Sequence, residues 1–360
     1  MAHSSKDKPI AQGDLVFVTG ATGLLGSNLV RELVARGYRV RGLVRSAEKA
    51  QRVLGDLGAA FEPCVGDMQR VNDFAPALAG AVAVFHTAAY FREYYQPGSH
   101  DNALDAINIQ GTLALMQAAD RAAVPCFVHT SSSGTIGLKA DGSPGDENTP
   151  ASAIQLRNGY VRSKVDGDRA ITAFEPASGM RVVEILPGWM WGPGDAAPTA
   201  AGQLVLDFIQ RKIPVIPDGG TSTVDARDVA SAMIASLTRA AHGDRYLVGG
   251  EFRTLAQTLS DLETLTGVRG PRRRIPYAMA LAYASFEELR ARVTGGPLLV
   301  SRAGLAMMHG NYAVTSSKAQ QALGVTFRPF TQTLVDVIAW YEAHGYLPRS
   351  AARAAAPTLA

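Results

Sequence analysis

Tyr160 and Lys164 stand four residues apart in NGYVRSKVDGDRA, residues 158–170. In a helix that spacing puts both side chains on one face, with the lysine beneath the tyrosine. A phenol ionises near pH 10 and is a poor acid or base at neutrality. A neighbouring ammonium and the positive ring of an oxidised nicotinamide favour the phenolate and bring the group into its working range. Upstream, HTSSSGTIG (129–137) offers serines that can donate a hydrogen bond to the same carbonyl oxygen. Together such groups would polarise a C=O, deliver a proton and position a hydride. The same lysine could also hold ribose hydroxyls.

Hydride chemistry needs a dinucleotide, and VTGATGLLGSNL (18–29) supplies the means to hold one. Gly20, Gly23 and Gly26 follow an apolar strand pattern and open a helical one. A tight turn needs a residue tolerant of positive φ, the backbone must approach a pyrophosphate, and the helix must sit close on the strand. Free N–H groups at the helix start then face the phosphates. The second strand ends in GLVRSAEK, with Arg45 where an acidic residue would meet an unphosphorylated ribose and Lys49 close behind. Cations there suit a 2′-phosphate, so NADP(H) is expected over NAD(H).

These groups require an alternating scaffold. DLVFVTG, YRVRGLVR, AAFEPCVGD, AVAVFHTAA, PCFVHTSSSG and RVVEILPG read as six short strands. Helical patterns separate them, including one long helix over ALDAINIQGTLALMQAADRAA. The pattern predicts an α/β fold, a Rossmann doubly wound parallel sheet with helices on both faces and ligands at the carboxyl ends of the strands. Residues 14–188 would form the NADP-binding domain. Residues 189–347, which include a short strand in RYLVGG, would form mainly a smaller substrate-binding lobe, with some segments returning to the first domain. Residues 1–13 and 348–360 are expected to be flexible ends.

The hydrophobic fraction of 47% and charged fraction of 19% in 360 residues place the chain among globular proteins. A net charge of +3, with PRRR (271–274) as the densest basic run, gives no reason to expect a nucleic-acid partner. Cys64 and Cys126 show neither disulfide nor metal spacing. His86 and His129 read as strand-end packing residues, and no metal is expected. The first residues carry no apolar leader, and no apolar run is long enough to span a bilayer. The nearest, 275–293, reads as a packed amphipathic helix. A cytoplasmic location is the expectation.

The set TGATGLLG, HTSSSG, Tyr160-x-x-x-Lys164 and VDARDVA (224–230) resembles the extended short-chain dehydrogenase/reductases along nearly all of residues 14–347. GYRVRGLVR, VFHTAA, NIQGT, DENTP, YLVGGE and AWYEAHGYL are similar to the branch holding dihydroflavonol 4-reductases, related carbonyl reductases and hopanoid-associated sugar epimerases. The resemblance implies Tyr160 as acid/base, Lys164 as its partner and Ser132 as the carbonyl-polarising serine, with Ser131 or Ser133 as alternatives. It implies that Asn108 supports the helix or a proton-relay water. Thr22, Leu24 and Leu25 would join the three glycines at the cofactor, Asp67 and Met68 would lie at the adenine, Ala88 and Ala89 along the cofactor, and Pro187 and Gly188 beside the nicotinamide. Asp225, Arg227 and Asp228 would be structural. A homodimer is possible on the same grounds.

Sugar-nucleotide members of the family often carry an arginine after the sixth strand. This chain has LPGWMWGPGD there, with Trp189 and Trp191 as either substrate-pocket wall or lobe core. Tyr90, Phe91, Tyr94 and Tyr95 follow the fourth strand at the expected ligand edge. With Ser133 they suggest a small-molecule carbonyl or alcohol substrate, aromatic or aliphatic rather than a sugar diphosphate. A reductase of ketones or aldehydes is therefore expected. A nucleotide-sugar epimerase or dehydratase and a hydroxysteroid-type dehydrogenase are the alternatives, and a non-catalytic dinucleotide sensor fits the intact Ser132, Tyr160 and Lys164 less well.

Overall fold

The computed structural model describes residues 11–96, 98–294, 298 and 300–348. The expected flexible ends, 1–13 and 348–360, lie outside these except for residues 11–13 and 348. The first half alternates as its apolar runs require: β1 (Leu15–Thr19), α1 (Leu24–Ala35), β2 (Arg39–Val44), α2 (Ala47–Leu54), β3 (Phe61–Val65), the short α3 (Val71–Phe74) and β4 (Ala81–His86). Next come α4 (Asp101–Leu104), a π-helical stretch over Asp105–Gly111, α5 (Thr112–Arg121), β5 (Cys126–Thr130), α6 (Gly159–Thr172) and β6 (Arg181–Pro187). The single long helix expected over 103–123 is thus divided by the π turn, which carries Asn108.

Six of these strands and a seventh form one parallel sheet in the order β10-β6-β5-β4-β1-β2-β3. The strand order reverses between β1 and β4, which opens the crevice where ligands of such sheets bind. The seventh strand, β10 (Arg245–Val248), pairs with β6, so RYLVGG is a segment of the second half that returns to the central sheet. Helices cover both faces. Val16, Val18, Leu29, Leu33, Val229 and Met233 are buried on one side, and Phe17, Val84, Leu115, Met116 and Phe127 on the other. Burial on both faces explains why these strands are near-continuous apolar runs.

The second half adds β7 (Trp189–Trp191), α7 (Ala200–Ile209), β8 (Ile216–Pro217), β9 (Gly220–Asp225), α8 (Ala226–Arg239), β11 (Glu251–Thr254) and α9 (Leu255–Thr266). It ends with β12 (Arg274–Ile275), α10 (Tyr277–Thr294), α11 (Arg302–His309), α12 (Ser317–Leu323) and α13 (Phe330–Ala343). A three-stranded sheet, β11-β9-β7, packs with α7, α9 and α13 into a separate core. Asp225 caps α8 and pairs with Arg227, which also binds Asp336, while Arg328 pairs with Asp228. The VDARDVA motif thus ties α8 to the chain's last elements.

The expected packing of 275–293 is corrected in part. α10 turns Ala280, Ala284, Glu287 and Ala291 inward, while Met279, Tyr283, Phe286, Leu289 and Val293 face solvent. The alanine ridge leaves too narrow a contact to cover the larger side chains. Among the described residues no helix is long and apolar enough to cross a membrane.

Candidate active site

The glycine loop joins β1 to α1, and each glycine has its own reason. Gly20 takes φ +65°, and a Cβ there would come 2.9 Å from the Ala88 nitrogen. At Gly26 a Cβ would meet the Gly20 carbonyl oxygen and force the helix off the strand. Gly23, the α1 cap, has φ −83°, a conformation open to any residue, and is exposed. The nearest atom to a Cβ there is the Gly20 oxygen at 3.3 Å. No side chain caps the α1 N-terminus, so its first N–H groups face the crevice with Thr22, Leu24 and Leu25 around them. A bare, uncapped helix start at the sheet's switch point fits a pyrophosphate.

Other expected cofactor residues line the same edge. Arg45 is exposed immediately after β2, and Ser46 begins α2 by accepting from the Lys49 N–H. Asp67 follows β3 and accepts from the Gln69 N–H, and Met68 is buried behind it. Ala88 and Ala89 follow β4, with the Ala88 N–H on the Thr19 hydroxyl. Pro187 ends β6. Gly188 is buried, and a Cβ there would lie 2.7 Å from the carbonyl oxygens of Gly249 and Ser222, so this glycine serves the junction of the two sheets.

The cap of α6 is Asn158, whose Oδ1 accepts from the Val161 N–H. One face of the helix then presents Tyr160, Lys164 and Asp168. Ser132, just beyond β5, stands beside the Tyr160 phenol and accepts from the Gly134 N–H. Ser131 points elsewhere, donating to Asp168 at 2.6 Å. Of the three serines, Ser132 is the one beside the Tyr160 phenol. Lys164 donates to the Thr130 carbonyl at 2.9 Å.

Tyr160 is 8% exposed, and burial pushes its pKa well above the ordinary value. The sequence leads one to expect a lowered value. Burial outweighs the opposing pull of Ser132, so in the protein alone the phenol stays protonated. Burial lowers Lys164 to about 8, against the pull of Asp168 and Glu184.

Aromatic rings cover Tyr160. Phe91 meets it edge-on at 4.8 Å, Tyr94 lies at 6.4 Å, and the Tyr94 hydroxyl accepts from the Gly159 N–H. Tyr95 meets Phe91 and Tyr94 edge-on, and Tyr90 bonds His100. Asn108 holds this segment in place. Its Oδ1 accepts from the Tyr90 N–H at 2.7 Å, and its Nδ2 donates to the Tyr90 carbonyl and to Ser163, both at 3.1 Å. This makes Asn108 a structural clamp that joins the Tyr90 segment to Ser163 of α6.

Of the two readings of Trp189 and Trp191, pocket wall and lobe core, the packing favours the lobe core. Trp191 is 1% exposed in the second core, against Phe330, and Trp189 packs against the same cluster. β7 pairs with β9, and that pairing turns both rings into the lobe. The side chain that instead reaches the Ser132–Gly134 turn is Met307 of α11, 3.7 Å from where a Gly134 methyl would stand; Ser133 lies in that turn. Nothing in the local sequence marks Met307, because the approach depends on how α11 folds back.

His86 and His129 are buried neutral rings 5.3 Å apart, with His86 between the hydroxyls of Thr19 and Thr112. Burial drives His86 down to about 3. Among the described residues no group of three or more His, Cys, Asp or Glu could hold a metal ion.

Comparison with known proteins identifies the family. The model of the NAD dependent epimerase/dehydratase family matches residues 16–249. A protein of Synechocystis sp. named for dihydroflavonol 4-reductase is 32% identical over 343 residues, covering 94% of this chain and 97% of its own length. Sterol demethylase protein B of Methylococcus capsulatus is 32% identical over 335 residues, covering 92% and 99%. The crystal structure of gox2253 is similar with a TM-score of 0.78 at 32% identity, covering 93% of this chain and 100% of that one.

Proposed function

The chain belongs to the NAD-dependent epimerase/dehydratase family, whose members include oxidoreductases, and from that premise we propose that it is an NADP(H)-dependent oxidoreductase reducing an apolar ketone or aldehyde reversibly to the alcohol. The observation that carries this reading is that Ser132, just beyond β5, stands beside the Tyr160 phenol, with Lys164 one helical turn further along α6.

Gly20, Gly23, Gly26 and the α1 N-terminus would hold the pyrophosphate, Arg45 and Lys49 the 2′-phosphate, and Lys164 the nicotinamide ribose. When bound, NADPH supplies the hydride. Ser132 donates a hydrogen bond to the substrate carbonyl oxygen and so favours negative charge on it. Tyr160 gives its phenolic proton to the same oxygen. Burial keeps that phenol protonated, which suits the reductive direction. The rings of Phe91 and Tyr94, with Met307 near the serine turn, exclude water and favour an apolar body beside the carbonyl. This surround supports an aromatic, polycyclic or aliphatic substrate over a sugar diphosphate, which calls for cations at the corresponding place.

The test is net consumption. Purified protein with NADPH and a panel of apolar ketones and aldehydes is expected to lose absorbance of the reduced cofactor in proportion to product. Cofactor that stays tightly bound, with no net consumption but interconversion of a nucleotide sugar, would overturn the reading in favour of an epimerase. Dinucleotide binding with no turnover of either substrate class would point to a sensor.

A further inference from the structure

Beneath Lys164 a row of polar residues crosses the sheet at one level. Strand register places Thr19 beside His86, His86 beside His129, His129 beside Glu184 and Glu184 beside Arg245, on five neighbouring strands. Residues paired in this way point to the same face. Asp168, from α6, meets the far end of the row. Its carboxylate accepts from Ser131 through both oxygens, at 2.6 and 2.8 Å, and from Arg245 at 2.8 Å.

Glu184 is differently placed. It is 4% exposed, its Oε1 has an Arg245 nitrogen only at 3.6 Å, and its Oε2 has no donor. One guanidinium, that of Arg245, contacts both this carboxyl and that of Asp168, so the two acids share one buried site. Two ionised carboxylates cannot share such a site, and an oxygen without a donor is satisfied only if it carries a proton itself. Asp168, with three donor contacts, is the ionised member, and Glu184 is the acid that keeps its proton.

We propose that Asp168 and Glu184 hold one proton between them at neutral pH, and that this singly charged pair, clamped by Arg245, is the positioning element that keeps the Lys164 ammonium charged beneath Tyr160. The groups facing Lys164 are few. Tyr160 and Asp168 share its helix, the Thr130 carbonyl and His129 come from β5, His86 from β4, Glu184 from β6 and Arg245 from β10. Both histidines are held neutral by burial. The charges are therefore Lys164, Arg245 and the single negative charge of the pair. Burial raises both carboxyls, which agrees with a retained proton.

A shared proton has a specific consequence. Removing either acid lets the other ionise, so the countercharge at Lys164 stays at one. Removing both takes it away. The role in the pH profile rests on the oxidoreductase reading, whereas the shared proton does not, so two measurements are paired.

Infrared spectra at pH 7.5 are expected to show a protonated-carboxyl C=O band in the wild type that is lost in both Glu184→Gln and Asp168→Asn. Absence of that band in the wild type, or its survival in both variants, would overturn the proposal, and these spectra decide even if the double variant fails to fold. In the pH–rate profile with NADPH, the wild-type basic limb is expected near the Lys164 value of about 8. Lys164 is cationic below its pKa, so activity falls as pH rises through it. Each single variant is expected to keep that limb. The double variant is expected to move it down by about one unit or more, because only Arg245 would then face the ammonium. A single variant that shifts the limb as far as the double would show two independent acids and contradict the shared proton.

Discussion

Gly23 and Gly26 can be separated by experiment. At Gly26 an added methyl collides with the Gly20 backbone, carbonyl carbon and oxygen alike. Neither atom can step aside without moving β1 or α1. Gly26→Ala is therefore expected to cost about 1–3 kcal/mol of folding stability, as overpacking does, and to weaken dinucleotide binding with it. Gly23 is different. Its φ of −83° suits alanine, its position is exposed, and the one close atom stands at 3.3 Å. The folded protein alone gives little reason for a glycine there, and losing it as a helix cap costs about 1 kcal/mol or less. What the missing side chain leaves open is backbone approach to a phosphate. If the methyl displaces one charged hydrogen bond, about 1.5–3 kcal/mol is lost, roughly ten- to hundredfold in affinity. Urea unfolding without dinucleotide and fluorescence titration with NADPH would read the two effects separately. Gly23→Ala is expected to fold nearly as stably as the wild type and bind far more weakly. A folded Gly23→Ala protein with wild-type NADPH affinity would refute the cradle.

Two further outcomes are expected. Arg45→Ala should lose affinity for NADPH, with NADH little changed, because Arg45 is exposed at the end of β2 and free to meet a 2′-phosphate. Equal losses for both dinucleotides would remove Arg45 from cofactor choice. Burial depresses His86 from 6.5 to about 3, so the unfolded chain binds its proton first as pH falls. That contribution to stability is complete above pH 6.5 and is lost toward pH 3, at about 1.4 kcal/mol per unit within the window. His86→Gln should flatten the stability–pH slope between pH 5 and 6 by about that amount. An unchanged slope would mean that His86 titrates normally.

Much of the fold is legible in the sequence because parallel strands buried on both faces must be apolar runs, and each of the six such runs is a strand of the central sheet. Arg245–Val248 is harder to assign. It stands among lobe segments in the chain, and only its pairing with β6 shows that it closes the sheet. Local signals also marked Gly20, Gly26 and Tyr160, and the family resemblance marked Ser132, which the structure sets just beyond β5. The Glu184–Arg245 contact has no such signal, since it depends on register between strands sixty residues apart in the chain. Trp189 and Trp191 were ambiguous for a related reason. Their place after β6 suggested a pocket, but pairing with β9 turned both rings into the second core. Asn108 was found as a residue, yet its clamp on Tyr90 arises from the π turn, which apolar periodicity does not reveal.

The central claim is that Tyr160 supplies the proton for carbonyl reduction by NADPH. The most direct test is the turnover rate of Tyr160→Phe beside the wild type on a ketone that the wild type reduces, with NADPH affinity measured on both proteins. Turnover is expected to fall by about 10²- to 10⁴-fold while NADPH binding is retained, because only the proton donor is removed. A Tyr160→Phe protein that binds NADPH and reduces the ketone at the wild-type rate would contradict the account.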